Sequence, residues 1–189
     1  MLKKQTITER LAQLASRDPD KVLFTFYRND DELSITPRSL YEKALQFASY
    51  LTNKFKPGSR IILLEKNGLE FIIAFYGCLI AKMVAIPLAP PSRNASRQTA
   101  QNIENILYNA DASAIFYSDT NKEALTAQFN QESKVDWFQF DNVAAISQQT
   151  AFQPDLVNAN DIAFLQYTSG STSAPKGVKV SHGNIIHNC

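Results

Sequence analysis

The chain has 189 residues, of which 44% are hydrophobic and 20% are charged. This length and composition are typical of one ordinary globular domain, which buries roughly 70% of its unfolded surface, and they exclude a disordered chain. Nineteen basic and eighteen acidic residues give a net charge of +1 with no basic cluster, so the sequence indicates neither nucleic acid nor an anionic membrane as a partner.

Cysteine spacing and hydropathy give no indication of disulfides, a metal site or a membrane span. Cys78 and Cys189 are too few and too far apart to indicate a disulfide framework or a metal site, and Cys78 is predicted to be a small buried hydrophobe. The longest apolar stretch, residues 71–81, is shorter than the roughly 20 residues of a membrane span. The polar N-terminus shows no export signal, so we expect a cytoplasmic protein without a membrane span.

Two helices and a β-hairpin are predicted in the N-terminal part of the chain. Residues 6–9 have the spacing of a capping box, which favours a helix start. Residues 22–27 and 32–35 flank a polar turn, a pattern typical of a hairpin. Residues 36–37 supply a cap and a first-turn proline for a helix that runs to about residue 55. Its apolar stripe comprises Leu40, Ala44, Phe47, Ala48 and Leu51.

Strands and helices alternate in the rest of the chain. Helices are predicted at residues 69–81, 98–110 and 122–129. The predicted strands are residues 60–64, 84–87, 114–117, 135–140, 162–165 and 178–180, and the predicted loops are residues 89–95 and 148–160. This alternation predicts an α/β fold, with a mostly parallel sheet flanked by helices on both faces.

A hydroxyl-rich segment at residues 167–178 carries most of the functional information. It reads Tyr-Thr-Ser-Gly-Ser-Thr-Ser-Ala-Pro-Lys-Gly-Val. Serine and threonine supply short O–H donors, a glycine-containing turn can point backbone N–H groups at one spot, and the ammonium of Lys176 suits a phosphate. The strands predicted on either side make the segment a loop on a rigid sheet, where binding groups are commonly placed. These features indicate a site for a polyphosphate.

Two other interpretations of this segment are a plain surface loop and a Walker phosphate loop. Ser, Thr, Gly and Pro are ordinary loop residues, and composition by itself does not decide against a surface loop. The Walker pattern does not match. Counting from Gly170, its second glycine position is Pro175, which has no N–H group for a phosphate, and Gly177 follows Lys176 where Ser or Thr is needed. A strand is predicted to follow, so no helix N-terminus is aimed at the anion.

The segment closely resembles the signature phosphate loop of the adenylate-forming enzymes. This superfamily includes acyl-CoA synthetases, luciferases, peptide-synthetase adenylation domains and fatty acyl-AMP ligases. The family pattern is Tyr-Thr/Ser-Ser-Gly-Ser/Thr-Thr-Gly-x-Pro-Lys-Gly-Val, and this chain departs from it at Ser173, where most members carry Gly. The matching positions are Tyr167, Thr168, Ser169, Gly170, Ser171, Thr172, Pro175, Lys176, Gly177 and Val178.

The resemblance implies a reaction in which a carboxylate attacks the α-phosphorus of ATP, giving an acyl-adenylate and pyrophosphate, with ATP and Mg²⁺ as cofactors. It also implies that the loop binds the β- and γ-phosphates. The residues that would take this role are Thr168, Ser169, Gly170, Ser171, Thr172, Ser173, Lys176 and Gly177. No catalytic residue and no metal-ligand cluster can be assigned from the sequence, and local structure explains His182 and His187 better than a general-base role does.

Three further segments look most like those of fatty acyl-AMP ligases: residues 68–78, 87–92 and 164–167. Those enzymes pass the acyl group to an acyl carrier protein, so the resemblance implies ATP and a fatty acid as substrates and an acyl carrier protein as acceptor. Two alternatives stay open. One is an acyl-CoA synthetase or an amino-acid adenylation domain of the same fold, and the other is a non-catalytic nucleotide-binding fragment.

The resemblance extends over the whole chain but over only about the first third of a typical family member. The chain ends soon after the loop, before the segments that bind adenine, ribose and the acyl group in the family. We therefore expect residues 1–189 to be the N-terminal part of the large AMP-binding domain, with the rest of that domain and the C-terminal lid domain absent. We also expect the isolated chain to be inactive, because one phosphate loop cannot orient both reactants.

Overall fold

Among the residues that the computed structural model describes, the strands form two sheets. The described residues are 5–28, 31–66, 68–91, 97–117, 135–140, 153–168 and 175–188. The strands are β1 (Phe24–Arg28), β2 (Asp31–Ile35), β3 (Arg60–Leu64), β4 (Val84–Leu88), β5 (Ala114–Tyr117), β6 (Asp136–Gln139), β7 (Ile162–Thr168) and β8 (Lys176–Ser181). The helices are α1 (Ile7–Arg17), α2 (Pro37–Lys54), α3 (Leu69–Ile80), α4 (Arg97–Ala110) and α5 (His182–His187).

The larger sheet has the strand order β6-β5-β3-β4-β7-β8. Its first five strands are parallel, and β8 is antiparallel to β7. In the middle of the sheet, Ile62 of β3 pairs with Ile86 of β4 and with Ile115 of β5. The hairpin of β1 and β2 is a separate antiparallel pair. The predicted α/β fold with a mostly parallel sheet is therefore confirmed.

Helices α1 and α2 begin at the predicted caps. The Thr6 hydroxyl accepts a hydrogen bond from the Glu9 N–H at 3.3 Å, and Glu9 Oε2 accepts one from the Thr6 N–H at 2.7 Å. Thr36 caps α2 by accepting from the Ser39 N–H at 3.3 Å, and Pro37 follows at the start of the helix, where its missing N–H costs no hydrogen bond. These caps satisfy N–H groups that a helix leaves free, so they determine where each helix begins.

Side chains alternate along β3 between two hydrophobic cores. Ile61 and Leu63 belong to the core shared with α1, α2 and α3, whereas Ile62 and Leu64 belong to the core shared with α4. The predicted stripe of α2 is buried in the first core, and α4 contributes Ile103, Leu107 and Ala110 to the second. Helices lie on both faces, as predicted, because a parallel sheet is buried on both sides.

Most of the predicted element boundaries that fall on described residues agree with the structure to within one or two residues. Strands β7 and β8 are longer than predicted, since their pairing continues to Thr168 and Lys176. Cys78 is fully buried, as predicted. The predicted helix at residues 122–129 and parts of the predicted loops at residues 89–95 and 148–160 lie outside the described residues.

No helix in the described part of the chain is both long and apolar enough to cross a bilayer. The cytoplasmic location inferred from the sequence stays a prediction.

Candidate functional site

The predicted phosphate loop connects β7 to β8 at the carboxyl-terminal edge of the parallel strands. β7 runs parallel to β4 and ends at Thr168. β8 begins at Lys176, which pairs with Thr168. In open α/β sheets, ligands bind outside the carboxyl ends of the strands. The two strand ends therefore flank the position where this class of fold places a ligand.

The structure describes the two ends of this segment and not its middle. Of the predicted phosphate-binding residues it describes the backbone of Thr168 together with Lys176 and Gly177. The others lie outside the described residues: Ser169, Gly170, Ser171, Thr172 and Ser173. The phosphate-binding role of the segment stays a prediction.

Lys176 is exposed at the start of β8. Its partner Thr168 is four residues after Phe164, whose ring lies 5.6 Å from the ring of Phe75 in α3. Because side chains alternate along a strand and paired residues share a face, Lys176 projects from the face of the sheet that α3 covers. An exposed ammonium at this edge is accessible to an anion from solvent.

Tyr167 connects the end of β7 to α4. Its hydroxyl donates a hydrogen bond to Asn109 Oδ1 at 2.7 Å, and its ring lies against Gly177, the residue paired with it. Burial raises the pKa of Tyr167, and the positive charge of Arg60 partly opposes this shift. The hydroxyl therefore stays protonated near neutral pH and acts as a donor. Tyr167 thus both packs against a neighbouring strand and lines a cavity.

A cavity of about 640 Å³ lies beside Tyr167 on the face of the sheet that α4 covers. Its lining includes the cationic side chains Arg60, Lys82 and Lys179, from three separate parts of the chain. No basic cluster is visible in the sequence because these residues are far apart along it, and only the fold brings them together. Lys176 is not among the lining residues.

Arg60 and Lys82 at this cavity have acidic neighbours. Arg60 Nη1 donates a hydrogen bond to the Ala110 carbonyl at 2.8 Å and lies 3.3 Å from Asp111 Oδ2. Lys82 Nζ lies 3.7 Å from Asp155 Oδ2. The cation at the end of α4 complements the partial negative charge of the last helical carbonyls, so Arg60 has a structural task there.

His182 lines the same cavity at the start of α5 and is 1% exposed. Its backbone N–H donates to the Asp161 carbonyl at 3.0 Å, and the N–H of Gly183 donates to the Ala159 carbonyl at 2.7 Å. Burial lowers the pKa of His182 more strongly than the nearby Asp161 raises it. The sequence predicts a local structural role for His182, and its burial at the start of α5 agrees with that role.

The geometry above agrees with a comparison against protein families. A family model described as AMP-binding enzyme matches residues 11–189. The chain belongs to this family. The resemblance to adenylate-forming enzymes that the loop motif indicates is thereby confirmed, as is the prediction that the chain comes from an enzyme family.

Several relatives of this chain carry the names of fatty acid ligases. It is 38% identical over 173 residues to the medium-chain-fatty-acid–[acyl-carrier-protein] ligase JamA of Moorena producens, a match that covers 88% of this chain and 29% of JamA. It is 32% identical over 198 residues to the long-chain-fatty-acid–AMP ligase FadD26 of Mycobacterium marinum, covering 97% of this chain and 32% of FadD26. The chain thus spans about a third of the length of these relatives.

A solved structure of the family supports the same fold. The crystal structure of the fatty acyl-adenylate ligase from L. pneumophila in complex with acyl adenylate and pyrophosphate matches with a TM-score of 0.82 at 33% identity. The match covers 97% of this chain and 31% of that chain. The similarity to fatty acyl-AMP ligases inferred from the sequence is confirmed by both kinds of comparison.

Proposed function

We propose that this chain contributes the phosphate-binding part of an enzyme that activates a fatty acid carboxylate with ATP. A carboxylate oxygen forms a bond to the α-phosphorus, and the bond from that phosphorus to the oxygen bridging to the β-phosphorus breaks. Pyrophosphate leaves and an acyl-adenylate is formed. The observation that carries the proposal is the match of residues 167–178 to the adenylate-forming signature, in a chain that belongs to the AMP-binding family.

The position of Lys176 supports a role of this segment in binding the β- and γ-phosphates. Its ammonium is exposed at the carboxyl edge of the sheet, beside the hydroxyl-rich segment. Phosphoryl chemistry is accelerated mainly by positioning and by neutralisation of charge, and preorganised donors need no rearrangement during the reaction. In this proposal the same role is shared by Thr168, Ser169, Gly170, Ser171, Thr172, Ser173 and Gly177.

ATP and Mg²⁺ are the cofactors of the proposed reaction. A lysine beside hydroxyl and backbone N–H donors fits the charge and the acceptor oxygens of a polyphosphate. No three His, Cys, Asp or Glu side chains of the described residues are grouped to hold a metal ion by themselves. Magnesium is commonly bound by phosphate oxygens, water and one or two carboxylates, so in this proposal it enters with the nucleotide and neutralises phosphate charge.

A fatty acid is the proposed acid substrate, and an acyl carrier protein is the proposed acceptor. The names of JamA, FadD26 and the L. pneumophila ligase support the acid, and the name of JamA supports the acceptor. An acyl-CoA synthetase or an amino-acid adenylation domain is the second candidate, because the fold is common to all of them. A non-catalytic nucleotide-binding fragment is the third, because the chain covers about a third of its relatives.

Acid-dependent ATP–pyrophosphate exchange tests the proposed function. The assay compares the 189-residue chain with the same protein extended to the length of its relatives, across fatty acids of different chain lengths and a panel of amino acids. We expect exchange with fatty acids in the longer protein and none in the shorter chain, because one phosphate loop cannot orient both reactants. Exchange with amino acids alone would contradict the fatty acid assignment.

Lys176→Ala tests the role of the loop in the longer, active protein. We expect kcat/KM for ATP to fall by one to two orders of magnitude, because a charge-assisted hydrogen bond of roughly 1.5–3 kcal/mol is lost. Lys179→Ala is the matched control, since Lys179 lies on the same strand but lines the cavity on the other face. We expect it to keep wild-type ATP kinetics. Unchanged kinetics in Lys176→Ala would remove that residue from the site.

A further inference from the structure

One side-chain hydrogen bond links α4 to the strand that leads into the predicted phosphate loop. The donor is the Tyr167 hydroxyl and the acceptor is Asn109 Oδ1, 2.7 Å away and 58 positions earlier in the chain. Asn109 occupies the last turn of α4, and the neighbouring Leu107 and Ala110 are buried in the core of that face. The acceptor therefore sits on a helix that packing holds against the sheet.

The ring of Tyr167 also packs across the paired strand. It lies over Gly177, and a Cβ built on that glycine would stand 2.8 Å from the ring Cζ and 3.0 Å from the hydroxyl oxygen. Those distances are shorter than a van der Waals contact, so a side chain at position 177 would require the ring or the strand to shift. Glycine at position 177 thus leaves room for the ring where its hydroxyl reaches Asn109.

The hydrogen bond to Asn109 and the packing on Gly177 restrain the strand pair formed by Tyr167 and Gly177, which lies next to Lys176. Tyr167 pairs with Gly177, and the next pair along the ladder, Thr168 with Lys176, joins the two ends of the predicted loop. β8 is the last strand of the sheet in the described part of the chain, and its one strand neighbour there is β7. The hydrogen bond from Tyr167 to Asn109 of α4 therefore restrains the end of β7 in addition to the backbone pairing of the two strands.

We propose that Asn109, Tyr167 and Gly177 form a latch that positions Lys176 and the end of β7 for the phosphates of the nucleotide. This inference rests on the proposed function. The three are positioning residues, because they act through the ends of the loop and not through contact with the substrate. Tyr167 supplies the hydrogen-bond donor, Asn109 supplies the acceptor, and Gly177 leaves space for the ring, so each contribution can be removed by a separate substitution.

Hydrogen exchange of the nucleotide-free 189-residue chain tests the latch directly. We expect Tyr167→Phe and Asn109→Ala each to speed exchange of the amides around Thr168 and Gly177 by roughly two- to tenfold, the range that corresponds to one hydrogen bond. Asn109→Asp keeps an acceptor and should stay near wild type. The double variant Tyr167→Phe/Asn109→Ala should match the single variants, because all three delete the same bond.

Matched controls separate the latch from a general loss of stability. Tyr108→Phe removes a hydroxyl from an exposed tyrosine next to Asn109, and Asn105→Ala removes an exposed amide one turn earlier in α4. Both should leave exchange at the ends of the loop unchanged. Equal acceleration in the controls, or acceleration throughout the chain in Tyr167→Phe, would mean a structural role only and would overturn the proposal. Wild-type exchange in both Tyr167→Phe and Asn109→Ala would also overturn it.

Gly177→Ala tests the latch from β8, the strand paired with that of Tyr167. The added methyl should displace the ring and speed hydrogen exchange at the ends of the loop as Asn109→Ala does. In a Tyr167→Ala background, where the ring is absent, the same substitution should change exchange little. A Gly177→Ala variant with wild-type exchange would show that the ring does not depend on position 177, and the proposed latch would be wrong.

Titration with ATP connects the latch to the site. In a chain that binds ATP through Lys176, Tyr167→Phe should weaken binding by a factor similar to its effect on exchange, and Tyr108→Phe should not. Faster hydrogen exchange at the ends of the loop without weaker ATP binding would overturn the positioning role. If the wild-type chain and its longer form bind no ATP, the proposed function fails together with any role of the latch toward a nucleotide. The exchange measurements then still decide whether Asn109 restrains Tyr167.

Discussion

His182 links the stability of the chain to pH. Its imidazole is 1% exposed, and burial lowers its pKa below the ordinary value of about 6.5, with Asp161 opposing the shift in part. Between the lowered pKa of the folded chain and the ordinary pKa of the unfolded chain, the unfolded chain binds more protons. The contribution of His182 to stability therefore rises with pH up to about 6.5 and is lost as the pH falls below that value.

The corresponding experiment is urea unfolding of the chain between about pH 5 and pH 7.5. We expect the wild-type free energy of unfolding to fall on acidification, by at most about 1.4 kcal/mol per pH unit from this group, and His182→Gln to flatten the dependence. His187→Gln removes the other histidine, which is exposed, and should keep the wild-type slope. A slope that persists in His182→Gln would assign the pH dependence to other groups.

Gly177 shows that a residue of a binding motif can have a packing task. The resemblance assigns this glycine to the phosphate-binding group, and that role stays a prediction. The structure gives an independent reason for glycine at this position, since the ring of Tyr167 occupies the space where a side chain would begin.

At the scale of elements, α2 and α3 approach each other closely at Gly77. A Cβ added to Gly77 would stand 2.6 Å from Phe47 Cδ1 and 3.1 Å from the Ala44 carbonyl oxygen. Phe47 is itself held by an edge-to-face contact with Phe116, with ring centroids 5.0 Å apart. The helices can lie this close only because Gly77 has no side chain at the crossing.

We expect Gly77→Ala to lower the free energy of unfolding by about 1–3 kcal/mol, measured with urea. Steric overlap dominates here, although alanine by itself favours a helix over glycine by about 1 kcal/mol. Phe47→Leu provides the control background, because a smaller side chain there should reduce the cost of the added methyl. A Gly77→Ala variant that is more stable than wild type would show that the helices can separate without cost.

The start of β8 could not be predicted from the hydropathy of neighbouring residues. Alternating hydropathy predicts a strand from residue 178, but β8 begins at Lys176, because the strand is extended by its pairing with Thr168. Hydrogen bonds between strands depend on a partner that is distant in the chain, and a window of neighbouring residues does not contain it. Helix α2 depends on local caps and a local stripe, so its boundaries are predicted more closely.

At the scale of the whole molecule, the central strand β3 joins the two cores. Ile62 and Leu63 are both fully buried, one in each core. We expect Ile62→Ala and Leu63→Ala each to lower the free energy of unfolding by about 2–5 kcal/mol in urea, because each leaves a cavity in a packed core. Val178→Ala is the control on the last strand, where Val178 is 55% exposed, and should change stability by less than about 0.5 kcal/mol.

Unequal losses of stability in Ile62→Ala and Leu63→Ala would contradict this prediction for one face of the sheet. A cost below about 1 kcal/mol for Ile62→Ala, together with a large cost for Leu63→Ala, would mean that the α4 face packs loosely and that β3 is anchored from one side only. Similar losses for both variants, with an unchanged dependence on urea concentration, would support a sheet whose two cores unfold together.

The sequence by itself determined the class of the molecule and the identity of its motif. The caps at Thr6 and Thr36, the stripe of α2 and the segment at residues 167–178 all depend on residues close together in the chain, so local patterns predict them. The family follows from the same segment, because a continuous run of matching residues is specific without any knowledge of the fold.

Only the tertiary structure decided which distant residues meet. It set the strand order, gave the face of the sheet from which Lys176 projects, and placed Asn109 against Tyr167 across 58 positions. It also gathered the cations at the cavity from three parts of the chain. The physical reason is that these contacts arise when helices and strands pack to bury both faces of one sheet, and that packing joins residues whose separation in the chain carries no periodic signal.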